Sequence, residues 1–142
     1  MKAISRKPRI GDIYYMQFGG SGSEQKGWRP GLVFQNNTGN IYSPNIIALP
    51  LTGHIKKTSQ PTHVILPARE TGLPKDSTVL CENPERMSKD RIGGYITSLT
   101  PEFMAKIAYA NILASSAIAF LDKDSLLSVW HKAVSLNATP VA

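Results

Sequence analysis

The chain has 142 residues, a length suited to one domain, and with 42% hydrophobic and 18% charged residues it is not compositionally disordered. Sixteen Lys and Arg against ten Asp and Glu leave a formal charge of +6, which favours partners rich in negative charge, such as phosphate backbones or an acidic peptide, without choosing between them. A single cysteine, Cys81, excludes an intrachain disulfide framework and fits a reducing compartment.

The basic N-terminus is followed by no long apolar run, so a signal peptide is not expected. Ile13 to Phe18 is rich in β-formers and partly alternating, and reads as a first strand. Gly19-Gly20-Ser21-Gly22-Ser23 then breaks it as a flexible loop. Gly31 to Gln35 follows Pro30 as a second strand, and Asn36 to Asn40 reads as a polar turn or loop. Ile46 to Leu51 is a third strand, in which Pro50, lacking an amide donor, points to an edge or a bulge. Thr62 to Leu66 and Ser77 to Cys81 are the fourth and fifth strands. The apolar run Val79-Leu80-Cys81 makes the thiol a small buried hydrophobe rather than a nucleophile. Met87 to Ile92 is a sixth candidate, and Tyr95 to Ser98 is a short run after a Gly93-Gly94 turn.

At Leu99 the character changes. Thr100-Pro101-Glu102 carries a hydroxyl cap, a first-turn proline and an acid near the positive end of the helix dipole. Phe103, Ile107, Ala110, Ala114, Ala117, Ile118 and Leu121 continue it at helical spacing. The apolar stretch from Ile112 to Leu121 is interrupted by Ser115 and Ser116 and is too short to span a bilayer. A second helix is expected from about Ser125 to Leu136, with Leu126, Val129, Trp130 and Val134 on one side. Many short strands followed by helix predict a mainly β small barrel or sandwich closed by a C-terminal helix, with a further helix behind it.

Four segments taken together resemble the MazF/PemK toxins. They are Arg9-Ile10-Gly11-Asp12-Ile13-Tyr14-Tyr15; the stretch from Gly22 through Trp28-Arg29-Pro30-Gly31 to Val33; Asn40-Ile41-Tyr42-Ser43-Pro44 leading to Pro50-Leu51-Thr52; and Lys56-Lys57 through Pro61-Thr62-His63-Val64. The likeness covers residues 9 to 119, which divides the chain into a toxin domain, 1–119, and a helical extension, 120–142, packed on it. It implies an SH3-like (CcdB/PemK-type) barrel, a cytoplasmic homodimer without membrane contact, cleavage of single-stranded RNA at short sequence motifs, and an acidic cognate antitoxin. The fold alone would license none of that activity.

No His, Cys or carboxylate cluster shows ligand spacing, so no cofactor and no metal are expected. RNA can be cut without metal when its own 2′-hydroxyl attacks, provided the protein stabilises phosphate charge and moves two protons. By resemblance Arg29 is the catalytic arginine, and its planar guanidinium matches phosphate oxygens. Thr52 matches the catalytic threonine, whose hydroxyl can donate to a phosphate oxygen. Glu24 matches a family glutamate able to accept the 2′-hydroxyl proton, and Gln25 beside it is placed to contact a base. His54, if the chain stays extended past Thr52, shares its face and can reach the same phosphate. Lys56 and Lys57 read as phosphate-steering charges. Trp28 reads as an exposed aromatic able to stack an unpaired base, as does Tyr42, whereas Phe18 reads as packing. His63 reads as structural and His131 as a surface residue.

One segment departs from the pattern. Where relatives carry a Gln-Ile-Arg-Thr-Ile-Asp type of run, this chain has Asn83-Pro84-Glu85-Arg86-Met87-Ser88, with Glu85 at the arginine position. Two other readings therefore stand beside the nuclease: a gyrase-binding toxin of the related CcdB group, and a catalytically dead relative that binds RNA or antitoxin only.

Overall fold

A computed structural model describes residues 6–19, 26–53 and 60–137. Its strands are β1 (Asp12–Gly19), β2 (Lys26–Val33), β3 (Asn45–Thr52), β4 (His63–Leu66), β5 (Ser77–Leu80), β6 (Glu85–Ser88) and β7 (Ile92–Ser98). The helices are α1 (Asn37–Tyr42), α2 (Ala68–Thr71), α3 (Pro101–Ala114) and α4 (Lys123–Asn137). All pairings are antiparallel, in the order β4-β5-β3-β2-β1-β7, with β6 also on β3. The sheet is strongly bent and not strictly closed, and α3 lies against β4 at one end of the strand order. This is the small β-barrel architecture with C-terminal helices that the strand and helix pattern predicts.

β3 organises the sheet. Residues 45–48 pair with β6, residues 48–50 with β2 and residues 51–52 with β5. Ile46 and Ala48 pack into one hydrophobic cluster with Tyr14, Met16, Phe18 and Ile92, while Leu49 and Leu51 pack into another with Ile13, Leu32, Val79 and Ile107. Side chains alternate faces along a strand, so β3 buries one face in its first half and the other in its second. Pro50 sits in an interior strand, not at an edge. It falls between Ala48, the last partner of β6, and Leu51, the first partner of β5, where the ladder changes hands.

Other expectations are corrected by local geometry. Residues 37–42 form the short helix α1 instead of a loop, because the Asn36 side chain caps it by accepting from the Gly39 amide at 2.8 Å. Gly93 and Gly94 lie within β7 and are not a turn. Tyr14 pairs with Tyr95 but Met16 with Ile92, so β7 spends one extra residue there in a bulge, which glycine accommodates. Helix α3 stops at Ala114, and residues 117–120 form a separate 3-10 turn after Ser115 and Ser116. Of the α3 positions only Ile107 and Ala110 are buried.

The C-terminal helix α4 has no buried residue. Its hydrogen bonds to the rest of the chain come from Thr38 Oγ1 to the Leu136 carbonyl, 2.8 Å, and Asn37 Nδ2 to the Asn137 carbonyl, 3.2 Å. Among the described residues no helix is long and apolar enough to cross a membrane.

Candidate active site

The β1–β2 hairpin and β3 build one cavity of about 430 Å³. Its walls include Tyr15 from β1, Trp28, Arg29 and Pro30 from β2, and Leu51 and Thr52 from the end of β3. Gly53, Pro74, Lys75 and Ser77 complete it.

Two strands bring the two principal residues to the cavity. Leu32 pairs with Leu49 and Gly31 with Pro50, where the β2–β3 ladder ends. Arg29 lies two residues before Gly31 and Thr52 two after Pro50, and both line the cavity. Gly31 fixes the approach of the strands: a methyl group there would lie 2.5 Å from Met16 Sδ and 2.8 Å from Phe18 Cζ. The Arg29-Pro30-Gly31 segment therefore combines a cavity cation with a close-packed turn of the sheet. Arg29 is half-buried, and Thr52 is only 7% exposed.

Trp28 is 44% exposed and lines the cavity, so an aromatic face stands beside the cation. Phe18 is buried in the core, as packing requires, and Tyr42 is exposed at the end of α1 without lining the cavity. Glu24, Gln25, His54, Lys56 and Lys57 lie outside the described residues. His63 Nε2 is 2.9 Å from Glu82 Oε2, a surface pair away from the cavity lining, and His131 is exposed on α4. Cys81 is fully buried, and burial pushes its thiol up to about 12, with the nearby Glu82 charge adding to the effect.

Tyr15, Lys75 and Ser77 were not singled out by the sequence pattern. For Tyr15 the signal is present: Tyr14, Met16 and Phe18 are buried, so the intervening Tyr15 and Gln17 face outward. Lys75 and Ser77 carry no such signal, because only the tertiary fold brings the start of β5 and the residues before it to the cavity.

Glu85 has a structural partner. Its Oε2 accepts the Gly19 amide at 3.1 Å, at the point where β1 enters the loop that leads to Glu24. Pro84 immediately precedes β6, where Glu85 pairs with Ala48. The departure at this segment thus ties the base of the β1–β2 loop to the β3–β6 pair.

A barrel carrying an arginine, a threonine and an aromatic face in one groove defines a candidate phosphodiester-binding site on a PemK-type fold. The family model for PemK-like, MazF-like toxins of type II toxin-antitoxin systems matches residues 9–113, and the chain belongs to this family. It is 39% identical over 111 residues to Endoribonuclease EndoA of Bacillus subtilis (strain 168), covering 78% of this chain and 96% of the relative. Among solved structures it is similar to an endoribonuclease in complex with its cognate antitoxin from Mycobacterial species. That match has 29% identity and a TM-score of 0.63, and covers 75% of this chain and 93% of that one. MazF (Form-I) from Deinococcus radiodurans shares the fold at 23% identity, TM-score 0.66, covering 78% and 100% of the two chains. These relatives favour the nuclease branch of the fold over the gyrase-binding one.

Proposed function

We propose that the chain is a cytoplasmic endoribonuclease that cuts single-stranded messenger RNA at a short sequence motif, without metal, and is silenced by an acidic cognate antitoxin. The observation that carries this reading is the meeting of Arg29 and Thr52 in one cavity beside Trp28.

In the reaction the RNA 2′-oxygen attacks the adjacent phosphorus and the bond to the 5′-oxygen breaks. The products are a 2′,3′-cyclic phosphate and a 5′-hydroxyl. Negative charge builds on the non-bridging oxygens as the phosphorus becomes five-coordinate. Arg29 offers planar paired donors to those oxygens, and charge stabilisation is its role. The Thr52 hydroxyl donates a further hydrogen bond from the neighbouring strand. Glu24 is the acceptor for the 2′-hydroxyl proton, and the departing 5′-oxygen takes its proton from water. Trp28 stacks on an unpaired base, with Gln25 contacting a base edge. His54, Lys56 and Lys57 hold and steer the backbone from the β3–β4 connection.

The net charge of +6 suits both the RNA and an acidic antitoxin tail laid over the same groove. The toxin acts as a homodimer. Support comes from α3, the 117–120 turn and α4, which expose Tyr109, Phe120, Leu127 and Trp130 over one stretch of chain.

The test is incubation of the purified protein with a long unstructured RNA in EDTA, beside Arg29→Ala. Fragments with 5′-hydroxyl ends are expected from the wild type. The variant should be slower by about 100-fold or more, the usual loss on removing one transition-state donor. Folded wild-type protein that leaves varied RNAs intact would overturn the reading.

A further inference from the structure

Resting on that reading of the cavity, we propose that Tyr15 stacks a second base of the bound RNA beside the one on Trp28, so that the outer face of the β1–β2 hairpin is a two-base platform and the site takes RNA with two successive unpaired nucleotides.

The strand register sets this platform. Tyr15 pairs with Pro30 and Gln17 with Trp28. Residues directly opposite each other in an antiparallel pair share a face, and so do residues two apart on one strand. Tyr15, Gln17, Pro30 and Trp28 therefore make one patch, with the two aromatic residues as diagonal neighbours. The opposite face of β1 is filled, since Tyr14, Met16 and Phe18 pack into the core. Tyr15, Pro30 and Trp28 line the cavity, and the two aromatic residues are 38% and 44% exposed.

The adjacent tyrosines differ in their ties to the fold. Tyr14 is buried, and its hydroxyl donates to Asp12 Oδ2 at 3.0 Å. The Tyr15 hydroxyl bonds to none of the described residues, so what the fold sets in the cavity is the ring. None of the four patch residues is charged, so a phosphate gains little there, whereas the flat face of a base gains a stacking partner.

Diagonal neighbours on a sheet stand about 7–8 Å apart, roughly twice the spacing of about 3.4 Å between stacked bases. Bases seated on the two rings are thus held off each other. A duplex cannot present its bases in that way, so the platform selects single-stranded RNA. Every base has a π-face, so Tyr15 adds affinity without choosing the sequence. Stacking forms as soon as RNA binds, and its loss should raise KM and leave kcat nearly unchanged, unlike the loss of Arg29.

The probe is a short fluorescent RNA spanning a site that the wild type cuts, blocked by 2′-fluoro at the cut nucleotide. Tyr15→Leu should weaken its binding by roughly 5- to 150-fold, the range for one base–aromatic stack, with an unchanged salt slope because no phosphate contact is lost. Tyr15→Phe keeps the ring and should bind as the wild type does. Tyr15→Val repeats the test with a strand-forming residue, and matching thermal unfolding curves verify that the variants are folded.

Removing single bases from the probe, one abasic site at a time, separates stacking from a structural role. In the wild type two adjacent positions should matter. In Tyr15→Leu one of them should cease to matter, and in Trp28→Leu the other, a coupling that independent sites do not show. A Tyr15→Leu protein that binds like the wild type, or binds weakly while both positions still matter, rejects the proposal and leaves the nuclease reading standing. A folded wild type that cuts no RNA removes that reading and this proposal with it.

Discussion

Arg29 and Thr52 are 23 positions apart in sequence and meet on the wall of one cavity, Arg29 from β2 and Thr52 as the last residue of β3. Charge and hydroxyl are therefore both carried by strands and not by a loop. Thr52→Val keeps the branched shape at a residue that is only 7% exposed, and replaces the hydroxyl by a methyl group. Loss of a hydrogen bond to a charged group, about 1.5–3 kcal/mol, corresponds to a roughly 10- to 150-fold fall in cleavage rate. Thr52→Ser should retain most activity. Single-turnover cleavage of one RNA by the three proteins decides it, and equal rates for Val and Thr would remove the hydroxyl from the mechanism.

Glu85 offers a second test, because its carboxylate holds the Gly19 amide at the root of the β1–β2 loop. Arg91 stands next to it, with Nη1 3.2 Å from where a Gly19 methyl group would sit. Glu85→Ala releases the loop entrance without touching the cavity walls. We expect cleavage to fall by about 3- to 10-fold, from about 1 kcal/mol of lost anchoring, with global stability little changed. Glu85→Gln retains an acceptor and should recover most of the rate. Should Glu85→Ala match the wild type, the contact at Gly19 contributes nothing to the loop.

These two relationships mark what the residues alone disclose. The strand cores were legible because alternation and turn chemistry are local signals, whereas the Arg-Pro-Gly and Pro-Leu-Thr segments were legible only through the family resemblance. The meeting of Arg29 and Thr52 was implied by resemblance, but the cavity that holds them is a tertiary fact. The role of Glu85 was hidden, since its partner is a backbone amide 66 residues away. Pro50 read as an edge or a bulge because a sequence does not show that β3 changes partners between Ala48 and Leu51. Apolar positions at helical spacing carried the first helix on to Leu121, yet Ser115 and Ser116 end it, since spacing does not register where a backbone turns. The apolar side of α4 was readable too, but not that the helix would bury none of it.

Stability near the N-terminus should depend on Asp12 far more than on its cationic partner. The Asp12 carboxylate is 2% exposed and accepts from Arg6 Nη2 at 3.0 Å, the Arg9 amide at 3.0 Å, Tyr14 Oη at 3.0 Å and Ser98 Oγ at 2.7 Å. Asp12→Ala leaves the buried Tyr14 hydroxyl and three part-buried donors without their shared acceptor and should cost about 3–5 kcal/mol. Arg6 is 45% exposed, so solvent screening limits Arg6→Met to about 1 kcal/mol or less. Urea unfolding of both variants measures the difference, and equal losses would contradict this ordering.

Alkaline pH should destabilise the fold through Cys81 and Tyr14. Burial raises both above their ordinary values, the thiol to about 12. Between the unfolded and folded values the unfolded chain has released its proton while the folded one keeps it, so rising pH favours unfolding. The stabilisation is complete below the unfolded thiol's pKa of about 8.5 and is lost progressively as pH rises toward 12. At pH 8 the folded protein should resist alkylation by iodoacetamide, and in urea it should react fully. Cys81→Ala should flatten the alkaline fall in melting temperature, and rapid labelling of the folded protein would show the thiol to be accessible.

The exposed apolar face of α4 leads to the last prediction. Leu127, Trp130 and Val134 follow at helical spacing and are 57%, 60% and 50% exposed, while Phe120 just before the helix is 84% exposed. Asp122 and Asp124 balance Lys123 and Lys132, so the segment is neutral and neither attracts a polyanion nor repels its own copy. Two such helices packed antiparallel about a two-fold axis would set the acidic start of one near the basic later turns of the other, and would cover the stripe. Light scattering should then give twice the chain mass of 15.5 kDa. Trp130→Asp should weaken the dimer by roughly 30-fold or more in Kd, the loss expected for a central tryptophan anchor. A dimer untouched by Trp130→Asp would place the interface on the barrel and leave α4 outside it, whereas a wild-type monomer at high concentration would dismiss self-association altogether.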